Sequence, residues 1–449
     1  VARSTLPPAV RRAGLAVGIF AVVGFVYHDS KVATSFDSLW SVHQALSLIH
    51  AGDLDLDEFR AVVPPDDYRV EEVRGHLRSI FPVGTVLLAA PLVAVGEATR
   101  WPASYERLQR APPDWGALKL EKTVASVLVA LAAALLFLVA RRRGLTAGQG
   151  ALAALAFAFA TPAWSLASRG LWQHGPVMLL LALALWLFEV AEERRAAAAL
   201  TALPLAFAFL VRPTAVVPLV LFGAAVAVRH RRWLVGWLLG AASVLVPFAL
   251  WSTAVYGALV PPYYRAGRLG LHGELGQALA ANLVSPARGL LVYAPLLLAA
   301  LFGPFLAGGS GRRRRAVEAA AAGTVLLHWL AVSAYDHWWA GHGYGPRFMA
   351  DLVPLLVYLA LPVLPAVWPR PRVPAVPAGR AVGRRAAAAA LLAAVAWGLF
   401  VHARGARSLD WMSWDETPVD VDDHPERVWD WSDPPFLRGL TAPGAEPGP

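Results

Sequence analysis

Apolar runs long enough to cross a lipid bilayer recur along this chain, and a cluster of arginines stands beside most of them. An α-helix needs roughly 20 apolar residues to span about 30 Å of hydrocarbon, and such runs follow one another from Val10 to about Val401. With 57% hydrophobic and 16% charged residues and a mean hydropathy of +0.50, the chain suits lipid rather than water. The alternating ten-residue segments of a transmembrane β-barrel are missing. The pattern therefore predicts an all-α polytopic integral membrane protein. Residues 10–27 carry the charged flank of a secretory signal in Arg11 and Arg12, but no small-residue cleavage site follows, so they read as a retained first span.

The arginine clusters at 11–12, 141–143, 194–195, 229–232, 312–315 and 380–385 each abut an apolar run, and the positive-inside rule assigns all six to the cytoplasm. With the amino terminus inside, eleven crossings satisfy every cluster: residues 10–27, 121–140, 147–168, 172–190, 197–211, 213–228, 233–254, 289–308, 317–335, 348–367 and 386–402. The carboxy terminus then lies outside. The run at 81–95 does not fit this count, and Pro82, Gly84 and Pro91 weaken it as a straight helix. It is expected to lie along the outer membrane boundary; a twelfth crossing with one cluster violated is the alternative. Acid placement agrees, since of 31 Asp and Glu ten fall between Asp29 and Glu72 and ten between Asp410 and Glu446, both outside in this map. The expected division is a transmembrane domain over 1–403, whose residues 28–120 form a first extracytoplasmic loop, and an extracytoplasmic tail over 404–449. The Pro-rich stretch at 365–377 reads as a cytoplasmic linker.

The chain has no cysteine, which excludes disulfides, thiolate metal sites and cysteine nucleophiles. Its +9 net charge is accounted for by the membrane-flanking arginines, so no nucleic-acid partner is implied.

The outer face carries the chemistry. Asp37 follows the first span, and after it Leu39, Val42, Leu46 and Ile49 recur at helical spacing opposite Ser41, Gln44 and Ser47, as in a helix lying in the membrane interface. Gly52 ends that helix, and acidic residues follow it. Asp37 has two readings here, a helix N-cap or a catalytic carboxylate. Arg169 and His174 fall at one outer turn and Arg212 at the next, at a depth where charge is costly unless paired or hydrated. A third outer segment, 336–347, holds Trp338, Trp339, His342, Tyr344 and Arg347 among glycines. Aromatic rings stack on sugars, and a guanidinium binds phosphate with a fork of donors. An interfacial aromatic belt would explain the tryptophans but not the polar cluster.

Asp37, followed fifteen residues later by Gly52 and Asp53, resembles the first loop of lipid-linked-sugar glycosyltransferases of the GT-C fold, such as protein O-mannosyltransferases and lipid A aminoarabinose transferases. The likeness extends to Arg78-Ser79-Ile80-Phe81-Pro82-Val83-Gly84, to residues 167–174, to Ser285-Pro286-Ala287-Arg288-Gly289-Leu290, to 338–354 and to the tail at 424–431. These pieces look most like a bacterial branch of the class. The resemblance implies a GT-C fold with juxtamembrane helices in the first loop, a place in the bacterial plasma membrane, and Asp37 as catalytic base. It implies a polyprenyl-phosphate-linked sugar as donor and a lipid, glycan or protein as acceptor, with Arg78, Arg288 and Arg347 meeting the phosphate. Arg169, His174, Trp338, Trp339, His342 and Tyr344 would line the sugar or acceptor site. Ser38 stands where many relatives carry Glu, which leaves open whether a divalent cation, Mg²⁺ or Mn²⁺, takes part.

On this reading the enzyme moves a hexose or pentose by direct inverting displacement. The main alternative is a lipid-linked sugar flippase or other polytopic transporter, which would place charges facing one another inside several spans; most charges here lie at span ends. A third is a structural membrane partner that binds through the tail tryptophans. Single cysteines introduced into this cysteine-free chain test the map. A cysteine at Arg142 should resist an impermeant label applied from outside, and one at Asp66 should react; labelling at Arg142 would reverse the topology.

Overall fold

A computed structural model of the chain describes residues 7–99, 104–110, 115–306, 312–369 and 378–440. The linker residues 370–377 and the end of the tail beyond 440 lie outside the described residues. Every expected span has a helical counterpart. Among the described residues six helices are long and apolar enough to cross a membrane. They include α1 (Pro8–Asp29), α5 (Trp115–Arg142) and α7 (His174–Ala191), which pack side by side. Between α1 and α5 the first loop holds α2 (Ser41–His50), α3 (Gly84–Ala98) and the short α4 (Tyr105–Leu108). After α7 come α8 (Ala197–Leu200), α9 (Ala202–Val211), α10 (Val216–Arg229), α11 (Leu234–Tyr256), α12 (Leu275–Val284), α13 (Leu290–Tyr293), α14 (Ala299–Leu306), α15 (Arg312–Ser333), α16 (Val353–Ala360), α17 (Val363–Val367) and α18 (Ala378–Arg407).

Several spans are broken, and proline breaks them. The span at 147–168 begins as α6 (Ala147–Phe159) behind a capping box in which Thr146 and Gln149 bond each other's backbone N–H groups. Pro162 stops it, and a wider turn continues over Ala163–Ala167. Pro213 ends α9 by holding Arg212 in the extended region (φ −152°, ψ 130°), which turns the chain before α10. The run at 81–95 becomes α3, whose 15 residues rise about 22 Å, less than the hydrocarbon thickness. It packs against α2, α5 and α9.

The first loop contains one element that the all-α expectation lacked, a hairpin pairing Val70–Val73 with His76–Ser79. Arg74 (φ 54°) and Gly75 (φ 85°) both take the left-handed region, as a two-residue hairpin turn demands. The helix after Asp37 forms and ends before Gly52 (φ 84°) as expected. Its burial differs from that of a helix with one wet face, since His43, Gln44 and Ser47 are buried along with Val42 and Leu46. On its polar side Gln44 donates to the Leu54 carbonyl at 2.7 Å and Ser47 to Glu58 at 2.7 Å, and α3 packs against the helix.

The end of the bundle that carries the arginine clusters is tied by ions. Arg143 pairs with Glu318 and lies over the Tyr358 ring, 4.3 Å from its centroid; Arg314 reaches Glu189 at 3.2 Å, and Tyr358 donates to Glu189 at 3.0 Å. The clusters at 141–143 and 312–315 therefore meet at one end, as the charge map requires. At the opposite end the tail folds back over the 336–347 loop. Trp414, Val421 and Val428 share a core with Trp338 and Ala287, while Trp411 and Phe436 pack with Tyr344 and Tyr293. Trp411 and Trp414 are thus internal packing groups.

The segment 32–38 runs in tight contact with the 168–171 turn. A Cβ on Gly170 would lie 1.8 Å from the Thr34 carbonyl oxygen, so backbone would have to move. Gly170→Ala should destabilise the protein by about 1–3 kcal/mol in thermal melts in detergent. Gly148→Ala, on an open helix face where the new Cβ meets nothing within 4 Å, should be neutral or stabilising.

Candidate active site

A cleft of about 520 Å³, counted to its open mouth, lies between the first loop and the ends of α7, α9 and the 336–347 loop. Asp37 is on its wall. The carboxylate does not cap α2: the N-cap is Trp40, with no side-chain hydrogen bond to the helix. Instead Asp37 accepts a hydrogen bond from the Tyr68 hydroxyl at 3.1 Å and forms an ion pair with Arg347. The turn that carries it is held along its length. Thr34 N–H donates to the Arg169 carbonyl at 3.0 Å, the Ser35 and Ser38 hydroxyls both donate to Glu121, and Arg69 donates to the Phe36 carbonyl at 3.1 Å.

Arg347 is the cation of this wall. Its guanidinium lies 4.0 Å from the centroid of the Trp172 ring, and one amino group donates to the Ala340 carbonyl at 3.3 Å. Burial lowers its pKa to about 10, so it remains charged at neutral pH. Its Nε–H has no hydrogen-bond partner among the described residues. On the facing side His174 Nδ1 lies 2.7 Å from Asp351 Oδ1 and 2.7 Å from Arg212 Nη1, and Arg212 Nε lies 3.1 Å from Asp351 Oδ2. His328, bonded to the Phe348 carbonyl at 2.9 Å, closes this buried group. Removing Asp351 would leave Arg212 uncompensated in a buried place, where breaking such a pair costs about 3–5 kcal/mol.

The cleft thus brings together Asp37, His174, Arg212 and Arg347 from the residues singled out by sequence, and adds Ser41, Gln44 and Trp172. The others lie elsewhere. Arg78 sits on the hairpin, 3.6 Å from Asp55. Arg169 is fully buried and spends its donors on the carbonyls of Tyr27, Ser30 and Val32 and on Ser168, which satisfies the carboxy-terminal carbonyls of α1. Arg288 is likewise buried, donating to the carbonyls of Trp339, Gly341 and Gly343 and pairing with Asp415 at 3.1 Å, so it shapes the 336–347 loop from behind. Trp338 donates to Glu274 at 2.8 Å, and Tyr344 donates to the Val401 carbonyl at 2.6 Å. Trp339 and His342 face the tail, at 2.8 Å from Asp422 and 3.0 Å from Asp420.

Asp351 and Glu121 were not singled out by sequence. Each is a carboxylate inside or at the mouth of an apolar run, and that signal marks functional or paired groups in membrane helices. Tyr68 and Trp172 carried no such mark, because only the folded first loop and the 168–173 turn bring them to Asp37.

The donor set around Asp37 does not fit a divalent cation. One carboxylate oxygen goes to Arg347, Ser38 turns its hydroxyl to Glu121, and among the described residues no other Asp or Glu lines the cleft. Three groups elsewhere bring His, Asp or Glu atoms together among the described residues, Asp55-Asp57-His76, Asp53-Asp55-Glu58 and His342-Asp420-Asp422, and none of them lines the cleft.

By its similarity to solved structures the protein is a membrane protein of the GT-C fold. Among solved structures the chain is similar to ArnT from Cupriavidus metallidurans, determined with undecaprenyl phosphate bound, at 15% identity and a TM-score of 0.51 over 88% of this chain and 75% of that one. It is also similar to the oligosaccharyltransferase AglB from Archaeoglobus fulgidus in complex with an inhibitory peptide and a dolichol-phosphate, at 12% identity and a TM-score of 0.51 over 97% of this chain. It spans 61% of the length of that archaeal enzyme. No family model and no curated protein sequence matches the chain.

His342 joins the loop to the tail in a pH-dependent way. Burial pushes its imidazole down, but the hydrogen bond to Asp420 and the charges of Asp415, Asp420 and Asp422 outweigh this and raise it above its usual 6.5. A raised histidine stabilises the fold fully below 6.5 and loses that contribution as pH rises through its folded value. Asp420 is shifted down, chiefly by the same hydrogen bond, so its contribution is lost only in acid, below the usual 3.8. The neighbouring His337 is pushed down by burial. Hydrogen exchange of peptides covering 415–424, corrected for intrinsic rates, should therefore show protection falling as pH rises above 6.5. In His342→Asn it should be flat over the same range.

Proposed function

We propose that the protein is an inverting glycosyltransferase that moves a sugar from a polyprenyl-phosphate donor to an acceptor hydroxyl or amine, with Asp37 as general base. The observation that carries the proposal is the gathering of one carboxylate and two arginines on the walls of a single cleft at one end of the helical bundle. Asp37 is partly exposed there and paired directly with Arg347, and Arg212, itself paired with Asp351, lines the same cleft. The ligands bound in these neighbours, undecaprenyl phosphate in ArnT and dolichol-phosphate in AglB, support a lipid phosphate as the donor class.

The chemistry needs little else. The acceptor oxygen or nitrogen attacks the anomeric carbon, its proton passes to Asp37, and the bond from the anomeric carbon to the phosphate oxygen breaks with its electron pair going to the phosphate. Arg347 and Arg212 stabilise the charge that gathers on the leaving phosphate. His174, oriented by Asp351, lies where it can bond the sugar or the acceptor. Arg347 is paired directly with Asp37. A bound phosphate would compete for the same guanidinium and so release the carboxylate when the donor is in place. Phe81, Val86 and Phe348 supply apolar wall beside these groups.

Asp37→Asn keeps the shape of the side chain and removes the base. Transfer of radiolabelled sugar from a native lipid extract to membrane acceptors should fall by about 10²–10⁴-fold, with thermal stability close to wild type. Full activity in the folded variant would remove this mechanism.

A further inference from the structure

Glu121 stands in the first turns of α5, 2% exposed, and its carboxylate accepts three hydrogen bonds from uncharged donors. The Ser35 hydroxyl donates to Oε2; the Ser38 hydroxyl, at 2.5 Å, and the Leu171 N–H, at 2.8 Å, donate to Oε1. The two serines flank Asp37 at distances of two residues and one residue in the chain, so a single buried group grips the turn on both sides of the cleft carboxylate. Leu171 precedes Trp172, the ring on which Arg347 rests, and Arg347 in turn pairs with Asp37. Phe36, between the gripped serines, packs its ring 6.0 Å from that of Trp172. The contacts close into a ring: Glu121 to the serine turn, Asp37 to Arg347, Arg347 to Trp172, and Leu171 back to Glu121.

We infer that Glu121 is the positioning residue of this cleft, holding the Asp37 turn and the Trp172–Arg347 wall in register with each other. The inference rests on the reading of Asp37 as base. A carboxylate buried this deeply is costly unless its hydrogen bonds are complete, and an apolar side chain would fill the same space at lower cost. What the carboxylate adds is a single geometry, because its three donors come from two separate segments that must both be in place to satisfy it. Glu121 does not line the cleft, so it acts on the reaction only through the residues it holds.

The test uses the full chain in lipid nanodiscs with two variants, Glu121→Gln and the double variant Ser35→Ala/Ser38→Ala, which keeps Glu121 and decides the matter if the first does not fold. Hydrogen exchange of peptides covering 34–40 should become about tenfold faster in either variant, while peptides from the bundle core away from the cleft keep wild-type exchange. Sugar transfer from a native lipid extract should lose kcat by up to about 100-fold while KM for the lipid donor is unchanged, the signature of a misplaced reacting group rather than of lost binding. Unchanged exchange at 34–40 overturns the inference, and so does a loosened segment with undiminished kcat. If the segment loosens in the variants but wild-type protein transfers no sugar and Asp37→Asn changes nothing, the clamp stands and the transferase reading falls.

Discussion

The ion pair between Asp37 and Arg347 joins two loops 310 residues apart in the chain, and the shape of the cleft depends on it. An exposed pair of this kind would contribute little. Here both partners are already held by other contacts, Asp37 by a turn tied at four points and Arg347 by the face of Trp172 and a backbone carbonyl, so little side-chain entropy remains to be lost when they meet. The pair reports the register of the two loops. It also sets a cation against the cleft carboxylate, one that an anionic ligand can draw away.

Several arginines near this cleft do a different job. Arg169 and Arg288 are buried with their donors directed at backbone carbonyls, at the end of α1 and along the 339–343 backbone respectively. A guanidinium offers five donors in a fixed plane, which suits it to irregular chain where helices stop and carbonyls lack partners. Sequence position cannot tell such an arginine from one that binds a ligand, since both stand at the same depth between apolar runs. The distinction lies in whether carbonyls or open space face the guanidinium.

The same limit explains what was legible in the chain. Helix positions followed from run length and arginine placement because the bilayer imposes both, and each expected span became helical. Asp37 was legible because it stands alone before an amphipathic stretch. The roles of Trp338 and Tyr344 were not, because tryptophan and tyrosine serve equally well to stack on a sugar or to fill a core, and here the tail packs over them. Arg78 was assigned by its neighbourhood to Pro82; the Arg74-Gly75 turn forms a hairpin that brings it to Asp55, away from the cleft. Glu121 and Asp351 were the readable omissions, acids in apolar surroundings that needed partners.

Proline marks where the cleft forms. Pro82 lines it, Pro176 follows His174, Pro213 follows Arg212, Pro346 precedes Arg347, and Pro354 follows Asp351. Each proline removes a backbone donor and restricts the residue before it, so a helix ends or begins nearby. Helix ends expose unpaired backbone groups, and in a bilayer such groups must be covered by protein or face water. Gathering several of them at one level creates a region that cannot be closed with apolar packing alone. The charged side chains Arg212, Asp351, His174 and Arg347 fill that region, which is why polar chemistry collects at this end of an otherwise apolar bundle.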